Sequence, residues 1–173
     1  MNTLKRRMVV GLLAASIIAP TSIGFAASSM AATSKVEKTL QSMIVDEKLA
    51  HDVYVTLGEQ YDLRILDNIS GAETTHMQAI QILMERYGVS DPTSGDAVGE
   101  FDDPEVQALF DRLVARGEGS LDGTLAVGKK IEKLDIADLN DALDLNLPSD
   151  VDRVLTQLKL GSQRHLAAFS RLA

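Results

Sequence analysis

In the stretch GAETTHMQAI, residues 71–80, a glutamate and a histidine stand three positions apart within an otherwise apolar helical segment. On a helix, Glu73 and His76 share a face one turn apart, alongside Ile69 and Ile80. A charge on an apolar face is costly to bury unless it is paired or holds a cation. Carboxylate oxygen and imidazole nitrogen are donors for iron, manganese and zinc. Taken alone, the pair reads as a solvated helix face, so its partners elsewhere must decide.

Those partners sit on helices, because helical periodicity dominates the chain and no convincing strand-period segment occurs. The first helix is expected over 34–57, with Ser34 as N-cap and Glu37 completing a capping box. A second is expected over 64–87 with Gly88 as C-cap, and a short one over 104–116 with Pro104 at its start. A fourth runs from a Ser120 cap to Leu143, and the last covers 149–172. The segment GVSDPTSGDAVGEFDD, after the second helix, is a loop. It lacks the alternating ligands and closing glutamate of a calcium-binding EF-hand.

The four long helices each carry a polar break mid-stripe: Glu47, then Glu73 with His76, then Glu132 with Asp135, then Ser162 with His165. In an antiparallel hairpin, residues equidistant from the turn lie at one height, since both helices rise by the same amount per residue. Glu47 and Glu73 flank the turn GEQYD in this way, and Glu132 and His165 flank the turn at Pro148 and Ser149. Four carboxylates meeting in a dry bundle would repel, and each buried ion costs several kcal/mol. The apolar stripes offer no lysine or arginine to pair with them. Two divalent cations would match four carboxylates and two neutral imidazoles in charge. Oxygen and imidazole donors without sulfur suit iron or manganese, with zinc as a competitor.

The segments DEKLAHDVY, GAETTHMQAI, YGVSDP, IEKLDIADL and GSQRHLAAF, in this order, resemble a bacterial, exported ferritin-like family of unknown function. The resemblance covers roughly residues 36–172. It implies an all-α fold: a ferritin-like up-down four-helix bundle with a long crossover carrying a short extra helix. It also implies that Glu47, Glu73, His76, Glu132 and His165 occupy the metal-ligand positions of a dimetal-carboxylate site. One departure stands out. Such bundles use a second Glu-x-x-His on the last helix, and here the glutamate position is Ser162. Asp135, one turn from Glu132, is the expected substitute; otherwise one metal position is under-coordinated and the site could be mononuclear.

Composition narrows the function classes. Lys5, Arg6 and Arg7 precede the apolar run MVVGLLAASIIA, and small residues then suit cleavage after Ala26, as in a secretory signal. Residues 1–26 are therefore expected to be a signal peptide, 27–33 a flexible lead-in, and 34–173 the domain, placed in the periplasm or secreted. The run is short for a membrane span and is interrupted by Pro20, Thr21 and Ser22. All 25 acidic residues follow the leader and three of the 17 basic ones lie in it, so the remainder carries a formal charge near -11. That argues against nucleic acid and anionic membranes as partners and is compatible with cations. A homodimer is allowed. The absence of cysteine excludes disulfide staples and thiolate metal sites.

Three functions remain in play. The first is a dimetal-carboxylate protein handling iron with oxygen or peroxide, as a ferroxidase or peroxidase-type oxidoreductase, with electrons from an outside donor. The second is a metal-binding, buffering or structural-metal bundle without catalysis. The third is a metal-free helical adaptor with vestigial polar core residues. Blander roles are open for single residues as well. Glu132 and Asp135 could be a solvated face, His165 a hydrogen-bonded core histidine, His51 a surface or supporting residue, and Tyr54 packing. Met43, Met77 and Met84 read as core filler.

Overall fold

The computed structural model describes residues 23–172, with side chains from residue 34 onward, and among these the regular structure is entirely helical. The expected signal peptide lies largely outside the described residues. Helix α1 spans Ile23–Tyr61, starting well before the expected position. Ser34 is thus inside the helix rather than capping it, and helical backbone runs through residues 27–33, where a flexible lead-in was expected. The stretch AASSMAAT holds neither glycine nor proline and four alanines, the best helix former, so nothing there stops the helix.

The other elements follow their local signals closely. Helix α2, Arg64–Tyr87, ends at Gly88, whose φ of 65° is left-handed. There the Val89 N–H donates to the Met84 carbonyl and the Gly88 N–H to that of Glu85, the paired bonds of a Schellman ending. Helix α3, Pro104–Gly117, is capped by the Asp103 carboxylate, which accepts from the Glu105 N–H at 2.8 Å. Helix α4, Leu121–Leu143, is capped by the Ser120 hydroxyl, which accepts from the Gly123 N–H at 3.0 Å. Helix α5 spans Ser149–Leu172.

Helices α1 and α2 form one antiparallel hairpin and α4 and α5 another; α1 also packs on α4, and α2 on α5. The side chains of Gln60 and Tyr61 donate to the Glu118 carbonyl at 3.2 and 2.7 Å, so α4 starts beside the end of α1. Arg86 and Tyr87 at the end of α2 reach Asp150 at the start of α5, at 2.7 and 2.8 Å. The connection from α2 to α4 must therefore travel the length of the bundle. It does so through residues 88–120, carrying α3, which rests against α1 and α4.

The apolar interior falls into two halves. One gathers Leu40, Ile44, Ile80, Met84, Leu139 and Leu155. The other gathers Val53, Leu57, Leu66, Leu113, Leu125 and Phe169. On every long helix, the residues between these two sets are the polar breaks read from the sequence. Two greasy cores thus sandwich one polar layer.

Candidate metal centre

Each long helix delivers a side chain to that layer. Glu47 on α1, Glu73 on α2 and Glu132 on α4 are at most 2 % exposed. The His76 and His165 side chains, from α2 and α5, retain 14 % and 12 % of their exposure and form its solvent edge. Glu47, Glu73 and His76 each present a donor atom, all within 4.8 Å of one another, and Glu73, Glu132 and His165 do the same.

Glu73 belongs to both sets. Its Oε2 lies 2.7 Å from His76 Nδ1, and its Oε1 lies 3.0 Å from His165 Nδ1. Glu47 Oε2 approaches His76 Nδ1 to 3.1 Å, and Glu132 Oε2 approaches His165 Nδ1 to 3.6 Å. The two imidazole rings stack with centroids 5.6 Å apart. Both histidines therefore turn Nδ1 toward the carboxylates.

Without a cation, the layer must balance its charge with protons. Burial alone would raise the Glu73 carboxyl, but the imidazoles of His165 and His76 beside it hold it down to about 2. Burial pulls both imidazoles down, and the adjacent carboxylates more than reverse this. His76 rises to about 10 beside Glu47 and Glu73, and His165 to about 9 beside Glu132 and Glu73. Glu47 and Glu132 are pushed up, first by burial and then by neighbouring acids, despite the imidazoles. The layer is thus a carboxylate held between two imidazoliums and flanked by two reluctant acids, a set that can exchange protons for cations.

The donors also fit cations on stereochemical grounds. Glu47 Oε1 and His165 Nδ1 are buried without a hydrogen-bond partner; the latter is close to Glu73 but misaligned with it. Each such orphan costs about 1–3 kcal/mol. Both belong to the donor sets, where a bound ion would satisfy them. Three carboxylates and two imidazoles, with no sulfur, suit iron, manganese or zinc.

Residues 37–173 match the family described as "Uncharacterized protein domain (DUF2202)". The chain belongs to this family. It is 41% identical over 133 residues to the uncharacterized protein MJ0754 of Methanocaldococcus jannaschii, covering 77% of this chain and 72% of that one. It also resembles the crystal structure of the hypothetical protein MJ0754, with a TM-score of 0.77 and 36% identity across 91% of this chain and 85% of that one. This relative is archaeal, whereas the resemblance read from the sequence was to a bacterial family.

In this DUF2202 bundle, Asp135, expected to make good the carboxylate missing at Ser162, is held by that serine instead. It lies outside both donor sets. The Ser162 hydroxyl donates to Asp135 Oδ2 across the α4–α5 contact and holds it there, while burial lifts the Asp135 carboxyl to about 7. Tyr54 does more than pack. Its hydroxyl donates to Glu132 Oε1 at 2.7 Å and fixes that carboxylate. His51 is in neither donor set and meets Asp52 at 2.8 Å.

Several supporting residues escaped the sequence reading. A Cβ on Gly161 would lie 2.5 Å from His76 Nε2, so this glycine makes room for the imidazole. A Cβ on Gly128 would lie 2.6 Å from the Phe169 ring, which packs 5.4 Å from the Tyr54 ring. Their signal was glycine inside a helix, which costs up to about 1 kcal/mol relative to alanine and so asks for a reason. Lys48 was missed as well. It is buried beside Asp52 at 2.5 Å and donates to the carbonyls of Ala97 and Glu100 at 2.9 and 3.1 Å, pinning the crossover to α1. The bundle does contain an internal basic residue, then, but Lys48 pairs with Asp52 and not with the donor layer. Among the described residues, no helix is long and apolar enough to cross a membrane.

Proposed function

We propose that this chain is an exported, ferritin-like dimetal-carboxylate protein that handles iron with oxygen or peroxide. One observation carries the reading: a single buried carboxylate, Glu73, turns one oxygen to each of two histidines from different helices. Glu47, Glu73 and His76 would hold one ion, and Glu73, Glu132 and His165 the other. Two ions are the expected load, with iron favoured and manganese or zinc able to compete. A bound metal pair would supply two-electron chemistry toward oxygen or peroxide.

The protein's own part is positional. The apolar halves above and below the layer exclude water, and Tyr54 orients Glu132. The imidazole edge between α2 and α5 is the side of the centre nearest solvent. The chain has no cysteine to hold a thiolate-bound redox cluster, so reduction would draw on an outside donor. Export rests on the leader-like sequence of residues 1–26.

A second reading, a structural or buffering metal without catalysis, is favoured by the position of the layer. It joins four helices exactly where the apolar core is interrupted, so an ion there would tie the halves together. Elemental analysis of natively purified protein beside a Glu73→Ala, His76→Ala variant tests both readings against a metal-free adaptor. Two metals per chain, lost in the variant, is the expected result; near-zero content in both would leave the adaptor. Oxygen uptake on adding ferrous iron then separates the enzyme from the binder.

A further inference from the structure

A second group of acids lies beside the centre, on the seam between α1 and α4. Asp46, next to Glu47, is only 8 % exposed and its Oδ1 has no hydrogen-bond partner. Asp135 Oδ1 is likewise buried and unpartnered. On α4, Asp135, Asp138 and Asp141 recur every three residues, so each neighbours the next while the row winds about 120° round the helix. Asp141 is exposed, Asp138 half-buried and Asp46 buried, a gradient from solvent inward. Asp46 feels the like charges of Asp138 and Asp135 and has the Ser42 hydroxyl beside it, while Asp135 feels Glu132, Glu73 and, in the opposite sense, His76 of the centre.

Asp52, six residues along α1 from Asp46, is the instructive contrast. It is 2 % exposed and fully partnered, by Lys48, by His51 and by the Gly99 N–H. That is how this fold buries an acid for structural reasons. Among the described ion pairs, none involves Asp46, Asp135 or Asp138. Ser42 and Ser162 offer Asp46 and Asp135 only hydroxyls, and buried carboxylates with no cationic side chain in contact need a visiting cation or a proton.

We propose that Asp141, Asp138, Asp46 and Asp135 form a loading route that passes divalent cations along the α1–α4 seam to Glu47 and Glu132. The route rests on the dimetal reading above and adds to it the way in. Its donor atoms do not converge as those of the centre do. Weak, successive contacts suit passage and not storage.

The test follows cobalt(II) uptake by the metal-stripped full chain, mixed rapidly with cobalt alone and read by the absorbance of the bound ion. Asp46→Asn and Asp138→Asn each keep size and shape while removing charge. Both variants should reach the wild-type cobalt content, but load roughly tenfold more slowly and with a flattened dependence on ionic strength. Wild-type loading rates in both variants overturn the route and leave the centre standing. A lowered final content overturns it too, by making these acids part of the centre. A wild-type chain that takes up no cobalt overturns both readings. If Asp46→Asn does not fold, the half-buried Asp138→Asn decides the matter alone.

Discussion

Gly161 on α5 is the surface against which the His76 imidazole of α2 rests, with Nε2 only 2.5 Å from where a Cβ would sit. Gly161→Ala therefore sets two effects in opposition. Alanine favours the helix by up to about 1 kcal/mol. The added methyl must move a ring held by Glu47 and Glu73, drawing Nδ1 away from both. The variant is expected to keep its helical content and fold while its metal affinity falls on the order of 10–100-fold. Circular dichroism beside a metal titration checks this; unchanged affinity would show that the contact is slack.

The shared carboxylate predicts an uneven stoichiometry. Glu73→Gln should abolish loading at both positions, because Glu73 belongs to each donor set. Glu47→Gln and Glu132→Gln each touch one set and should leave about one ion per chain bound. Metal counting on the three variants distinguishes this from a mononuclear site, in which one of the two flanking variants would bind like wild type.

Tyr54→Phe removes the hydroxyl that donates to Glu132 and leaves the ring packed on Phe169. The lost hydrogen bond should lower the stability of the metal-free protein by about 1 kcal/mol. A larger effect is expected on the metal position that uses Glu132, whose carboxylate is then free to rotate. Comparing the two stepwise affinities tests this: a uniform loss across both positions would mean that Tyr54 acts on the whole bundle.

The sequence was most legible where the physics is local. Gly88, Ser120 and the Asp103–Pro104 pair each end or start a helix by their own backbone chemistry, and the helices begin and end there. Glu47, Glu73, His76, Glu132 and His165 could be grouped because they interrupt apolar stripes at matched distances from the turns. Asp135 could not be placed in this way. Whether a carboxylate one turn away reaches the centre depends on its rotamer, and the Ser162 hydroxyl captures it. Lys48 and Asp46 were illegible for another reason: they lie beside the stripe of α1, and neighbouring segments bury them, the crossover covering Lys48. At the start of α1 the Ser34 cap signal is overridden by the alanine-rich run before it, which continues the helix back to Ile23.

The protonation of the layer predicts how stability varies with pH. The imidazoles of His76 and His165 are raised from 6.5 to about 10 and about 9 when folded. Their contribution is fully present below pH 6.5 and is lost as the pH climbs through 9 and 10. Glu47, Glu132, Asp135 and Asp46 are raised too, so ionising them in the folded chain also disfavours folding as pH rises. Glu73 acts in the opposite sense. Held at about 2, it contributes above pH 4.5 and is lost as the pH falls toward 2. Metal-free protein should therefore be most stable in weak acid, near pH 4.5–6.5, and weaken steadily toward pH 10. Divalent cations replace the protons that alkali removes, so the stabilisation gained on loading should grow from pH 5 to pH 9, with protons released on binding. Thermal unfolding across this range, with and without metal, measures both trends. A metal-free Tm that holds level or rises between pH 7 and pH 10 would contradict the charge pattern assigned to the layer.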